Sequence, residues 1–444
     1  MLSEEIRSAY SAILNEELVP ALGCTEPIAV AYAAARAREI LGRMPEGLVL
    51  RCSGNIVKNV KGVRVPNTGG LKGIAAAAVA GVVGGDPSRR LEVLESVTPE
   101  HREEVRRLLS TGYCEVALAE GVENLYIEAE ARAGTDTASV RIEGSHTNIV
   151  HASRNGSPAE IPGAPLPGGS GGGFGHPGDA GNPSRVEGGA LADGARFLNV
   201  RDILEYAETV DLGDVAGTLS DQIEKNGAIA EEGLTHSWGA EVGRTLLKTR
   251  GSDLRVRAAA RPAAGSDARM SGCSLPVVIN SGSGNQGMTA SLPVIEYARE
   301  LGVPRDRLIR ALALSNLIAI RQKVLIGKLS AYCGAVSAAC GSGAGIAFLR
   351  GGGYREISDT IANTLGNVGG IVCDGAKPSC AAKIASAVEA AVLAQDMAFE
   401  GKAFADGEGL VSEDVERTIE NVGTVGREGM RETDRVILRI MTSD

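Results

Sequence analysis

Apolar positions follow two regimes along this chain. Over residues 3–41 they recur at helical spacing, and Pro20 and Gly23 interrupt the pattern, which predicts two helices. Ile28, Val30, Ala31 and Ala34 mark the inward face of the second. Residues 48–53 and 57–65 read as strands, and Thr68-Gly69-Gly70 as a turn into a small-residue helix over 71–83. A charged helix is expected over 99–111. Three strand-like runs follow at 115–119, 125–131 and 138–150, partly alternating and separated by Gly or Asp turns.

The pattern then changes abruptly. From residue 153 to about 193 the chain is largely Gly, Pro, Ser and Ala, too poor in apolar groups to offset the entropy of ordering. We read residues 152–195 as a disordered linker or insertion, with His176 solvated inside it. Beyond it nearly every segment has helical spacing: 200–210, 215–231, 237–250, 287–301, 306–325, 330–349, 355–366, 379–399 and 412–441. The short apolar run 275–279 is the one competing strand signal. The fold class is α+β: an N-terminal α/β portion with a small sheet over 1–151, then a predominantly all-α domain over 196–444.

Composition narrows the function. At 444 residues, two domains are the default. Aromatic residues make up 3%, and 59 glycines with many alanines take their place, which points to close helix packing and backbone-lined sites. A net charge of −10 argues against a general nucleic-acid binder. No apolar run is long and charge-free enough to span a bilayer, and the Ala-rich stretch 73–84 falls well short of the ~20 residues a membrane helix needs. The N-terminus shows no basic, apolar leader pattern, so a cytoplasmic protein is expected.

In a reducing compartment, clustered cysteines favour metal binding or catalysis over disulfides. Cys24, Cys333, Cys373 and Cys380 lie in Gly/Ala-rich surroundings, the last two flanking Asp374-Gly375-Ala376-Lys377-Pro378-Ser379. Three thiolates without a fourth partner would hold an iron–sulfur cluster and leave one iron open to substrate. Their spacing matches neither a zinc ribbon nor a ferredoxin run, so buried small hydrophobes remain an equal reading. Cys52, Cys114, Cys273 and Cys340 read as structural.

Ser281, Ser283, Asn285 and Gln286 belong to a Gly-rich loop directly before a helix, able to offer N–H groups to a carboxylate. A tight helix–helix turn is the plain alternative. Asn55, Lys58 and Asn59 form a second polar segment suited to an amino acid's charged ends. Asn67-Thr68-Gly69 reads as a cap for the helix expected from Leu71. His146 is flanked by hydroxyl and amide neighbours, although a lone histidine is more often structural. Cys24 precedes Thr25-Glu26-Pro27 at a helix start, where a thiol's pKa is lowered.

Together these segments resemble the L-cysteine desulfidase family, related to the alpha part of iron–sulfur L-serine dehydratases. The matching stretches are Leu22 to Pro27, Ser53 to Asn59, Val65 to Gly69, Gly144 to Asn148, Ala230 to Leu234, Ala268 to Met270, Ser281 to Gly287, Gly327 to Cys333 and Cys373 to Cys380. The Gly/Pro-rich stretch is a departure from it. The resemblance implies a 4Fe–4S lyase that breaks L-cysteine into pyruvate, ammonia and sulfide, its leaving group held on an open iron. L-serine dehydration is the alternative with the same chemistry, and 196–444 becomes the cluster-binding catalytic domain. It implies Cys333, Cys373 and Cys380 as metal ligands, with Cys24 a ligand or catalytic thiol. Candidate bases, in order, are Cys24, Lys58 and His146. The α-carboxylate is expected on the 281–287 loop, with Asn55, Asn67 and Thr68 as a second clamp. A small amino acid is the expected partner, without nucleic acid or membrane, and a homo-oligomer stays open. A pyridoxal-phosphate lyase and a non-catalytic binding protein are the rival classes.

Overall fold

The computed structural model describes residues 2–161 and 190–443. In chain order, α1 (Glu4–Glu17) leads through β1 (Pro20–Leu22) to α2 (Thr25–Leu41), β2 (Gly47–Cys52), α3 (Gly54–Lys61), α4 (Ile74–Gly84) and α5 (Pro99–Leu109). Strands β3 (Cys114–Leu118), β4 (Tyr126–Ala133), β5 (Asp136–Glu143), β6 (Ile149–Arg154) and β7 (Ser157–Pro158) follow. Next come α6 (Ala190–Gly194), α7 (Val200–Thr209), α8 (Ala216–Thr235), α9 (Val242–Arg250), α10 (Leu254–Met270) and β8 (Pro276–Val278). The chain ends in α11 (Gly284–Leu301), α12 (Arg305–Ile326), α13 (Gly334–Leu349), α14 (Tyr354–Val368), α15 (Cys380–Phe399), α16 (Val415–Thr424) and α17 (Met430–Thr442). The α+β class holds.

Six strands form one sheet in the order β3-β2-β4-β5-β6-β7, parallel between β2 and β3 and antiparallel elsewhere. Alternation sets its buried face: Ala129, Ala131, Val140 and Ile142 point inward, and the alanine-rich α2 lies on them. Small residues let α2 and α4 nearly touch. A methyl group on Gly81 would stand 2.2 Å from the Ala31 carbonyl oxygen. The same device builds the helical layer around α13, whose sides are apolar or small almost all round, as a core helix requires. The scarcity of aromatics is explained by this packing.

One contiguous core runs through both halves. β1 pairs antiparallel with β8, so Pro20 faces Val278 and Leu22 faces Pro276. That two-stranded link sets the start of α2 beside the start of α11, and the candidate site lies there.

Four expectations need correction. Residues 57–65 are not a strand, since α3 occupies 54–61 and buries Ile56 and Val60 one helical turn apart. α10 was not foreseen, because Pro262 interrupts an otherwise clear run of Ala258, Ala259, Ala260, Ala263 and Ala264. The small-residue helix starts at Ile74 and is not capped by Thr68, whose hydroxyl instead donates to the Val65 carbonyl and accepts from the Leu71 N–H. Of the linker expected over 152–195, residues 162–189, His176 included, lie outside the described residues. Its flanks are structured: β6 buries Ala152 and Ser153 against β5, and 190–197 are helical.

Candidate active site

Backbone pairing draws Cys333 and Cys373 together, and Cys380 lies close enough to interact electrostatically with both. Tyr332 and Val372 form an isolated antiparallel bridge, in which the Cys333 N–H donates to Ile371 O (3.0 Å) and the Cys373 N–H to Ala331 O (2.6 Å). Cys333 caps the N-terminus of α13, and Cys380 opens α15. Burial, then the neighbouring Cys373, pushes the Cys333 thiol up to about 12; burial also raises Cys380. Two lysines stand close. Burial lowers Lys323 to about 8, against the pull of Cys373 and Cys333, while Lys383 is ion-paired with Asp374 and donates to Val372 O (2.8 Å).

Among the described residues, no three His, Cys, Asp or Glu side chains stand close enough to hold a single metal ion. A cluster distributes its cysteines over separate irons and so spaces them more widely than one ion would. The donor set here is three soft thiols in mutual electrostatic contact, two of them at helix N-termini, with lysines nearby to offset thiolate charge. These residues fit an iron–sulfur cluster.

A buried cluster of apolar and polar side chains adjoins the thiols. Cys24, Val63 and Met270 form a small apolar cluster that Ala376 and Cys380 pack against. The Cys24 thiol donates to Glu26 Oε2 (2.9 Å), and Asn59 Nδ2 donates to Glu26 Oε1 (3.0 Å). Thr25 donates to the Gly282 carbonyl (2.7 Å), tying α2 to the glycine-rich loop. His146 lies against that same glycine, where a methyl group would stand 2.9 Å from its Cε1. Its Nε2 is buried without a partner. Burial lowers the imidazole to about 4, with Glu26 pulling it back up, so it is neutral at pH 7.

The loop itself is held from below. Asn280 Nδ2 donates to Asn316 Oδ1 (2.9 Å), Ser281 donates to Asn280 Oδ1 (2.9 Å), and Ser283, at the N-terminus of α11, exchanges backbone hydrogen bonds with Asn280 (3.0 and 3.1 Å). Asn285 accepts from Arg269 Nη1 (3.1 Å). Gln286 is buried with Oε1 unpaired, and a methyl group on Gly334 would stand 2.5 Å from its Cδ. The start of α11 therefore abuts the start of α13 beside Cys333.

Several expected site residues serve other ends. Lys58 is buried and ion-paired with Asp434 of α17, so its amine is committed to anchoring that helix rather than free as a base. Asn67 donates to Leu94 O (3.0 Å), Thr68 is spent within its turn, and Asn55 reaches Asn124 (3.5 Å), so the second carboxylate clamp is not assembled. Cys24 is no ready thiolate. Burial, then Glu26, raises its pKa well above the usual value despite the helix N-terminus. Sequence reasoning gave no role to Glu26, Arg269 or Lys323. The first two sat inside the matching stretches but carried no local signal of burial.

A sheet-backed helical layer thus gathers a thiol trio, a neutral buried imidazole and a glycine-rich loop in one α+β fold. The chain belongs to the family of the serine dehydratase alpha chain, whose model matches residues 88–439. That span contains His146, Arg269, the 281–287 loop and all three clustered thiols. Relatives extend over the rest. A UPF0597 protein of Lachnoclostridium phytofermentans is 51% identical over 97% of this chain and 98% of its own length. One from Desulfitobacterium hafniense is 50% identical over 97% and 96%, and one from Treponema denticola 44% identical over the full length of both. Membership places the chain among lyase-type proteins of amino-acid degradation. Among the described residues, no helix is long and apolar enough to cross a membrane.

Proposed function

We propose that this chain is an iron–sulfur-dependent lyase that converts L-cysteine into pyruvate, ammonia and sulfide. The observation that carries the reading is His146: a buried, neutral imidazole with a free Nε2, beside a loop that abuts the thiol trio. Cys333, Cys373 and Cys380 would hold a 4Fe–4S cluster, which when bound supplies an open iron that stabilises the departing sulfur as a Lewis acid. In this reading 1–151 is the substrate-binding portion and 196–444 the catalytic domain, working in the cytoplasm, where thiols stay reduced.

The protein's own groups perform the proton transfer. His146 Nε2 takes the α-proton, the Cα–H electrons form the Cα=Cβ bond, and the Cβ–S bond breaks. Glu26 stabilises the resulting imidazolium, consistent with the direction in which it already moves His146. Aminoacrylate then tautomerises to the imine, and water releases ammonia and pyruvate. The Asn285 N–H, in the first turn of α11 where N–H groups have no intrahelical partner, faces developing negative charge at the carboxylate, whereas the Ser283 N–H is spent on Asn280 O (3.0 Å). Cys24, protonated on Glu26, closes the apolar side of the pocket.

L-serine is the second reading, favoured by the description of the matching family itself. Anaerobically prepared protein is expected to release sulfide from L-cysteine faster than pyruvate from L-serine. The reverse ratio makes it a dehydratase. Full activity after complete iron removal would sink both.

A further inference from the structure

We infer that Arg269 is the anchor for the substrate's α-carboxylate and that Asn285 is the positioning residue that aims it, an inference that rests on the lyase reading above. Arg269 closes the last turn of α10 and is 2% exposed. A guanidinium carries five N–H donors in a rigid fork and stays charged in proteins. Here the protein uses one side of that fork, through Nη1 to Asn285 Oδ1 (3.1 Å). Nε and Nη2 are both buried and both without an acceptor.

Those two nitrogens form a single edge of the guanidinium, with parallel N–H bonds spaced to meet the two oxygens of one carboxylate. The edge is kept open by Gly284, where a methyl group would stand 2.5 Å from Nε and 2.9 Å from Cζ. Glu26 and the thiols of Cys24 and Cys380 act on Arg269 electrostatically, but none of them fills the unpaired donors. A buried charge left so incomplete is costly to the fold. A bound carboxylate completes it.

The placement also suits the chemistry. His146 lies against Gly282 and Arg269 against Gly284, two residues further along the same loop. A carboxylate on Arg269 therefore brings the adjoining Cα–H into the neighbourhood of the free imidazole nitrogen. A requirement for the carboxylate follows, because an amine without it leaves the guanidinium edge bare.

Calorimetric titration of the anaerobically prepared full-length protein with L-serine, 3-hydroxypropionate and ethanolamine tests this. Both carboxylates are expected to bind and ethanolamine not. Arg269→Gln should weaken L-serine binding about 100-fold, and Asn285→Ala, which keeps the charge but frees the side chain, about 10-fold. Circular dichroism establishes that the variants are folded, and the ligand series on unaltered protein decides the matter even if one is not. Ethanolamine binding as tight as L-serine, no binding of either carboxylate, or unchanged L-serine affinity in folded Arg269→Gln overturns the inference. Arg269-dependent carboxylate binding without release of pyruvate or sulfide upholds it and overturns the lyase reading alone.

Discussion

Two buried polar groups flank the same loop and are completed in opposite ways. Below it, Gln222 and Asn316 exchange hydrogen bonds (3.1 and 2.8 Å), Asn316 also accepts from Asn280, and Asn226 grips Val278 through both its N–H and its carbonyl. Above it, His146 Nε2, Arg269 Nε and Nη2, and Gln286 Oε1 are left unpaired. Unpaired atoms also occur elsewhere, on Ser266 and Ser358 for example. What differs here is that His146 and Arg269, from two separate elements, lie against one loop at Gly282 and Gly284. Burial of polar groups does not by itself mark a site; shared incompleteness does. The finished network is scaffold, and the unfinished one is where the proposed substrate would bind.

The sharpest way to break that contrast is to compare losses of activity with losses of stability. His146→Gln is expected to lower kcat about 1000-fold, or ~4 kcal/mol of barrier, without lowering thermal stability. A variant that keeps a tenth of the activity removes His146 as the base. Asn316→Ala, in contrast, strands Gln222 and Asn280 and should cost about 4 kcal/mol in urea unfolding. A cost below about 1 kcal/mol would mean that the lower network is not scaffold.

Acid sharpens the same comparison. His146 titrates at about 4 when folded against 6.5 as a free group, so between those values the unfolded chain binds the proton and the folded chain refuses it. The contribution is fully present above pH 6.5 and is lost as pH falls toward 4, roughly 3 kcal/mol in all. His146→Gln should remove that part of the slope in unfolding measured from pH 7 to 4. An unchanged slope would place the titration on another group. The smallest effect is expected at Gln286, where Leu replaces an amide whose oxygen is unpaired: stability should shift by less than about 1 kcal/mol. A loss of several kcal/mol would show that Gln286 belongs to the scaffold.

Much of the layout was legible without a structure, and particular residues say why. Alternation in β4 and β5 marked a sheet with one buried face, and Thr25-Glu26-Pro27 marked a helix start. Both are local signals, read from neighbours in the chain. α3 was misjudged because Val57, Val60 and Val63 suggest a strand, whereas the burial of Ile56 and Val60 and the Lys58–Asp434 pair favour a helix. α10 escaped notice because Pro262 removes one backbone donor, a loss that packing against α8, α11 and α15 outweighs.

The site divides along the same line. The sequence by itself determined which chemical groups are available: the thiols, His146, the 281–287 loop and the glycines that permit close approach. Only the tertiary structure decided their state. It buried His146 to neutrality, kept Cys24 protonated on Glu26, committed Lys58 to Asp434, and brought Arg269 from a helix the sequence pattern does not predict to the loop with two donors unpaired. The reason is physical: composition fixes a donor's identity, but its protonation and its missing partner depend on the dielectric and neighbours that distant segments supply.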